Sequence, residues 1–182
     1  MPPSNVFLDT EVLVDNIVPN RRNQFKCSCL LIDDVKSGKL KALIADYVLS
    51  EVTGNLKSEK EAKKGTSNVA KETLSPTDKI DIQNIVKTVT SIPNLKVFIP
   101  SQPISQQDIY NLVSVVCVQT KDALVLLSAL DIKNSIRDIV LVTRDERLLV
   151  RSKAKITSAH PSEYINRCPF DCLSRTLCRH RK

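Results

Sequence analysis

A chain of 182 residues with 42% hydrophobic side chains is long enough to bury one core of ordinary size. No stretch approaches the ~20 apolar residues of a membrane span. Only three glycines (Gly38, Gly54, Gly65) and two histidines are present, which excludes the GxxxxGK and GxGxxG phosphate cradles and leaves little room for a two-histidine metal site.

The net charge of +7 is uneven: residues 1–136 carry 16 basic and 15 acidic side chains, residues 137–182 carry 11 and 5. Six of the seven excess charges therefore lie in the last quarter. A basic end on a near-neutral body points to a polyanionic partner, nucleic acid before membrane, with plain solubility as the alternative. The N-terminus has no basic start, apolar run and small-residue cleavage site. Six cysteines are then expected as free thiols of a reducing cytosol, or as metal ligands, rather than as a disulfide framework.

In chain order, Val6-Phe7-Leu8-Asp9 reads as a short strand. Leu13 with Ile17 and Val14 with Val18 then give helical spacing up to Pro19. Asp9 thus ends a strand and opens a helix. Phe25 to Lys36 reads as a second helix with Phe25, Cys29 and Ile32 inward; Cys27 and Cys29, two apart, point to different faces. Leu40 to Ile44 gives a second strand, and Asp46 caps a helix through Leu56 whose inward stripe is Val48, Val52 and Leu56. Glu51 lies at the boundary of that stripe, where a solvated glutamate is the plain reading unless other acids converge there.

Residues 57–77 are polar and mixed in charge, with Gly65, Ser75 and Pro76 as breakers, and read as an inserted loop or arm, part of it helical. A helix from Asp78 to Ile92, a strand from Leu95 to Ile99, and a helix opened by the capping box Ser105-Gln106-Gln107-Asp108 follow, the last with Ile109, Leu112, Val113 and Val116 inward. Asp122 stands at the mouth of the next helix. Ile139-Val140-Leu141-Val142 is a continuous aliphatic run, as in a strand covered on both faces. It stops at Thr143-Arg144-Asp145, the kind of strand end where ligands gather in open α/β sheets. Capping of the next helix is the plain role for Asp145. Lys155 to Ser158 is expected as an edge strand, followed by a turn through Tyr164.

Alternating strands and helices predict a three-layer α/β/α sandwich with a mostly parallel central sheet over residues 1–166, followed by a basic, Cys-rich tail at 167–182. Cys168, Cys172, Cys178 and His180 in that tail supply a tetrahedral zinc set in composition. Their spacing is not a common finger spacing, and a free basic tail is the expectation.

Four acids stand at special places: Asp9 and Asp145 at strand ends, Asp122 and Glu51 on helices. Crowded carboxylates repel, so they converge only where a cation offsets them, and all-oxygen donors favour Mg²⁺ or Mn²⁺. The segments VFLDT (6–10), SEV (50–52), DALVLLSAL (122–130) and LVTRDERLL (141–149) together resemble the PIN-domain nucleases, including the toxins of VapBC-type toxin–antitoxin pairs, over nearly the whole chain to about Tyr164.

The resemblance implies that Asp9, Glu51, Asp122 and Asp145 are the catalytic, metal-binding acids. It implies that Thr10 is the hydroxyl residue following the first acid, and that Thr143 supports the site through hydrogen bonds. It further implies Mg²⁺- or Mn²⁺-dependent hydrolysis of RNA by an activated water, an antitoxin partner for the toxin class, and a homodimer. Arg144, Arg147 and Arg151 are candidate RNA contacts.

The chain departs from the pattern at Glu11, where a small polar residue is usual, in its long 57–77 segment and in its tail. A PIN-like module that binds RNA or protein without cutting is the alternative. A haloacid-dehalogenase-type phosphotransferase would need a second Asp where Glu11 stands.

Overall fold

The computed structural model describes residues 5–18, 21–22, 25–63, 75–100 and 102–164, the side chains of 59–63 and 164 excepted. The tail at 167–182, with its expected cysteines and His180, and residues 64–74 of the polar stretch lie outside these. In chain order the elements are β1 (Asn5–Leu8), α1 (Thr10–Ile17), α2 (Lys26–Lys36), β2 (Lys41–Ala45), α3 (Asp46–Lys63), α4 (Pro76–Thr90) and β3 (Leu95–Phe98). Then come α5 (Gln106–Asn111) continued by a π-helical turn (Leu112–Val116), α6 (Thr120–Ser135), β4 (Ile139–Val142), α7 (Glu146–Ser152), β5 (Ser158–Ala159) and α8 (Pro161–Tyr164).

The five strands form one sheet in the order β3-β2-β1-β4-β5, every neighbour parallel. This is the α/β/α architecture the sequence predicts. The central strands are the aliphatic ones: Val6, Phe7 and Leu8 of β1 and all four residues of β4 are buried. From β1 the chain winds outward through β2 to β3, then returns to β1's other side with β4. The crevice beyond the carboxyl ends of β1 and β4 is therefore a topological switch point. Leu8 pairs with Val142, and the Asp9 N–H continues the ladder to Val142 O at 3.0 Å. The register sets the first residues past the two strands, Asp9 and Thr143, side by side.

Helix α6 closes one face of the core with Ala123, Val125, Leu126, Ala129 and Ile132. Burial of such side chains stabilises by ~1.5–3 kcal/mol each for the larger ones, which fixes the helix whose first turn carries Asp122. No single helix among the described residues is long and apolar enough to cross a membrane.

Four local expectations are corrected. The buried face of α2 is Cys27, Ser28, Leu31, Ile32 and Val35; Phe25 precedes the helix and Cys29 is half-buried. Helix α3 continues to Lys63, because Lys57-Ser58-Glu59-Lys60-Glu61-Ala62-Lys63 contains no breaker and is rich in straight-chain helix formers. The last strand is only Ser158–Ala159, since the N–H groups of Lys155 and Ile156 turn back to Ser152 O. Cys27 is disulfide-bonded, against the expectation of free thiols throughout, while Cys29 and Cys117 are free.

Candidate functional site

Asp9 leaves β1 in an extended conformation and caps α1, its Oδ1 accepting from the Thr10 N–H at 2.7 Å. Its Oδ2 accepts from the buried Thr143 hydroxyl at 2.6 Å. The same hydroxyl oxygen accepts from the Asp145 N–H at 3.0 Å. One threonine thus ties the two strand ends together, holding one acid by its carboxylate and the other by its backbone. Asp145 caps α7, with Oδ1 accepting from the N–H groups of Arg147 (2.7 Å) and Leu148 (3.0 Å). The plain capping role is therefore present at both aspartates.

Glu51 is not a solvated surface acid. Its Oε2 accepts from the Thr10 hydroxyl at 2.5 Å, and its Oε1 lies 3.5 Å from Lys121 Nζ. Asp122, one residue beyond Lys121 in the first turn of α6, is only 8% exposed.

The acids feel one another. Burial is the main cause that pushes the Asp9 carboxyl up to about 7; Glu11 and Glu51 add to it, and the bonds from Thr143 and Thr10 oppose it. Asp122 is raised by burial and then by Asp145, with Glu51 adding and Lys121 opposing. Burial lowers Lys121, but Glu51, Asp122, Glu11 and Asp9 outweigh it and hold the ammonium above its usual range. Tyr47, at the start of α3, is raised by burial and by the charges of Asp9, Glu51 and Asp122, and its buried hydroxyl has no hydrogen-bond partner among the described residues.

These couplings mark one acidic crevice shared by Asp9, Glu51, Asp122 and Asp145. Its donors are all carboxylate oxygens, which suit a hard divalent cation. As the side chains stand, no group of three or more His, Cys, Asp or Glu among the described residues has the geometry to hold an ion. Asp145 is turned to its helix cap and Glu51 to Thr10 and Lys121.

The three arginines separate. Arg147 is exposed and Arg151 half-buried on α7. Arg144 instead turns inward, its guanidinium 3.5 Å from the Phe25 ring centroid and its Nη2 3.1 Å from Glu11 Oε2. Its Nε lies 2.6 Å from Asp15 Oδ2, but the N–H is not aligned on that oxygen, so the contact is an ion pair rather than a hydrogen bond.

Asp15 is fully buried, accepts from Ser28 Oγ at 2.9 Å, and has its other oxygen unpaired. Burial pushes it up to about 6 against the pull of Arg144. Arg144 is thus a brace between the β4–α7 turn, α1 and α2. Glu11, the departure from the motif pattern, is one of its partners. Asp15, Tyr47 and Lys121 carry no expectation from the sequence, and Phe25 is expected there only as an inward helix residue. Asp15 carried a signal, an acid four residues after Glu11 on the same helix face.

No protein-family model matches this sequence, and no curated protein matches it. Among solved structures it is similar to PAE2754 from Pyrobaculum aerophilum, with TM-score 0.52 and 18% identity over 89% of this chain and 93% of that one. That likeness of fold joins the parallel sheet, its switch point and the motif resemblance. The likeness is one of fold, a parallel sheet flanked by helices. A second structure, VapBC2 from Rickettsia felis bound to a DNA fragment from their promoter, aligns with TM-score 0.49 and 14% identity over 86% of this chain and 98% of that one. In this fold the acidic crevice lies at the carboxyl ends of β1 and β4.

Proposed function

We propose that the chain is a metal-dependent ribonuclease that hydrolyses RNA phosphodiester bonds. The observation that supports this reading is that four carboxylates around the switch point lie within one another's electrostatic reach, two of them buried, with Lys121 the one cation paired to them among the described residues. Helix capping accounts for Asp9 and Asp145, but not for Glu51 and the buried Asp122 beside them. Asp9, Glu51, Asp122 and Asp145 are the residues that would hold Mg²⁺ or Mn²⁺. A bound ion of this kind supplies charge neutralisation and a water activated for attack on phosphorus.

The chain's own residues position these donors. Thr143 fixes the strand ends carrying Asp9 and Asp145, and Thr10 orients Glu51. Arg147 and Arg151 lie on the helix that Asp145 caps, and with the basic last quarter they support a polyanionic substrate. Loading a metal requires Glu51 and Asp145 to turn from their present partners.

The competing reading, a binding module without catalysis, is favoured by that same ungathered geometry and by the Lys121–Glu51 pair. The toxin role, an antitoxin partner and a homodimer follow from the motif resemblance and belong to the proposal. Incubating the purified protein with RNA separates the two readings. Cleavage that needs Mg²⁺ or Mn²⁺ and stops with EDTA supports the nuclease; RNA bound but uncut with either metal supports the module. Growth arrest on expression of the chain, absent with Asp122→Asn, tests the toxin role.

A further inference from the structure

Of the three cysteines among the described residues, Cys27 is disulfide-bonded and Cys29 and Cys117 are free. The sequence holds three more, so the sulfur that pairs with Cys27 belongs to Cys168, Cys172 or Cys178. The path of the chain agrees. Helix α8 ends at Tyr164 and packs against α2, the helix that carries Cys27. Cys168 follows Tyr164 by four residues, a reach of up to ~14 Å. Helix α2, with 11 residues, is itself only about 16 Å long.

The elements at this edge of the molecule are short. Strand β5 has two residues and α8 has four, too few to hold themselves in place. Yet β5 supports the strand end at the crevice. Ala159 O accepts from the Thr143 N–H at 3.2 Å, and Thr157 O accepts from the Leu141 N–H at 2.9 Å. Thr143 is the residue whose hydroxyl ties Asp9 to Asp145.

We propose that Cys27 is bonded to a cysteine of residues 168–182, and that this bond is a redox-cleavable clasp holding α8 and β5, and through β5 the backbone of Thr143. A dithiol reductant opens it. The S–S bond takes up two electrons and two protons to give two thiols, and the dithiol is oxidised to its own disulfide. Reduction releases α8 from α2, β5 frays, and the Thr143 amide loses its acceptor. While the bond stands, one of the three later thiols is taken, so Cys168, Cys172, Cys178 and His180 cannot together ligate zinc. The clasp needs no ion in the crevice and is independent of the hydrolysis proposed above.

Two measurements on the full chain, purified without reductant, test it. In peptide mapping by mass spectrometry, with free thiols alkylated before digestion, the Cys27 peptide should be linked to one holding Cys168, Cys172 or Cys178. Cys27 found alkylated, or linked to Cys29, to Cys117 or to a second copy of itself, overturns the proposal. In amide hydrogen exchange, adding dithiothreitol should speed exchange at Leu141, Thr143 and β5 by roughly ten-fold or more, while α6 keeps its protection. Cys27→Ser should exchange at the reduced rates with or without dithiothreitol. Exchange that reduction leaves unchanged, or a variant that keeps the oxidised rates, overturns the clasp even where the bond is mapped. Should Cys27→Ser not fold, serine in place of the mapped partner cysteine serves in its stead.

Discussion

Asparagine at position 9 keeps the shape of the side chain and removes its charge, and the effect on stability should depend on pH. In the folded chain the Asp9 carboxyl titrates near about 7, against an ordinary value of 3.8. The folded state therefore keeps the proton through a window in which the unfolded chain has released it. By linkage, this contribution to stability is fully present below pH ~4 and is lost as pH rises through ~7, the reverse of a salt-bridged carboxylate.

About three pH units at 1.4 kcal/mol each set a ceiling of roughly 4 kcal/mol. In the Asp9→Asn variant the new amide oxygen can still accept from the Thr10 N–H, and the NH₂ can donate to Thr143 Oγ1. Urea denaturation in EDTA at pH 5 and pH 8 measures the difference. Asp9→Asn should already exceed wild type by roughly 1.5 kcal/mol at pH 5, and by up to about 4 kcal/mol at pH 8. Saturating Mn²⁺ at pH 8 should stabilise wild type, by ~2.7 kcal/mol at a hundred-fold excess over Kd, and stabilise the variant less, so that the gap between them narrows. A difference that is the same at both pH values would refute the reasoning, as would a wild type more stable at pH 8 than at pH 5 without metal.

Asp145→Asn should keep the α7 cap and melt within a few tenths of a kcal/mol of wild type, whereas Asp145→Ala should lose about 1 kcal/mol; both should lose RNA cleavage by orders of magnitude. Arg144→Met should cost ~3–5 kcal/mol in urea denaturation at pH 8, because it strands the buried Asp15 charge. Arg144→Lys should recover little of this, since a lysine has no planar face for Phe25. Thr143→Val should cut the tie between Asp9 and Asp145, with cleavage falling more than the ~1–3 kcal/mol of stability would suggest; single-turnover kinetics alongside urea melts would show it.

The sheet was legible because its strands announce themselves. Val6-Phe7-Leu8 and Ile139–Val142 are unbroken aliphatic and aromatic runs that only a doubly covered strand accommodates, and an acid follows closely on each. The candidate site was read from those ends; Glu51 was named only through its SEV segment, and what ties it to the end of β1 is the hydrogen bond from Thr10, across 41 residues of sequence. The inward turn of Arg144 was not legible. A basic residue at a strand end looks like a substrate contact until its distant partners Asp15 and Phe25 are placed beside it. The π-helical turn at Leu112–Val116, closed by Cys117 at φ 58°, also leaves no mark in the pattern, since LVSVV fits an ordinary helix or a strand equally well. The short final strand was misplaced because its bounds depend on where α7 unwinds.

Under the proposed function, Asp9 and Asp145 at the ends of β1 and β4 act with Glu51 and Asp122 as a site for a divalent cation. Titrating Mn²⁺ into the full-length protein at pH 7.5 by calorimetry, with wild type beside Asp122→Asn, tests it most directly. The account predicts saturable binding to wild type with release of protons, because Asp9 must give up its proton to become a ligand. It predicts at least ten-fold weaker binding to the variant. Wild type without saturable binding, or a variant that binds Mn²⁺ as tightly as wild type, would contradict it.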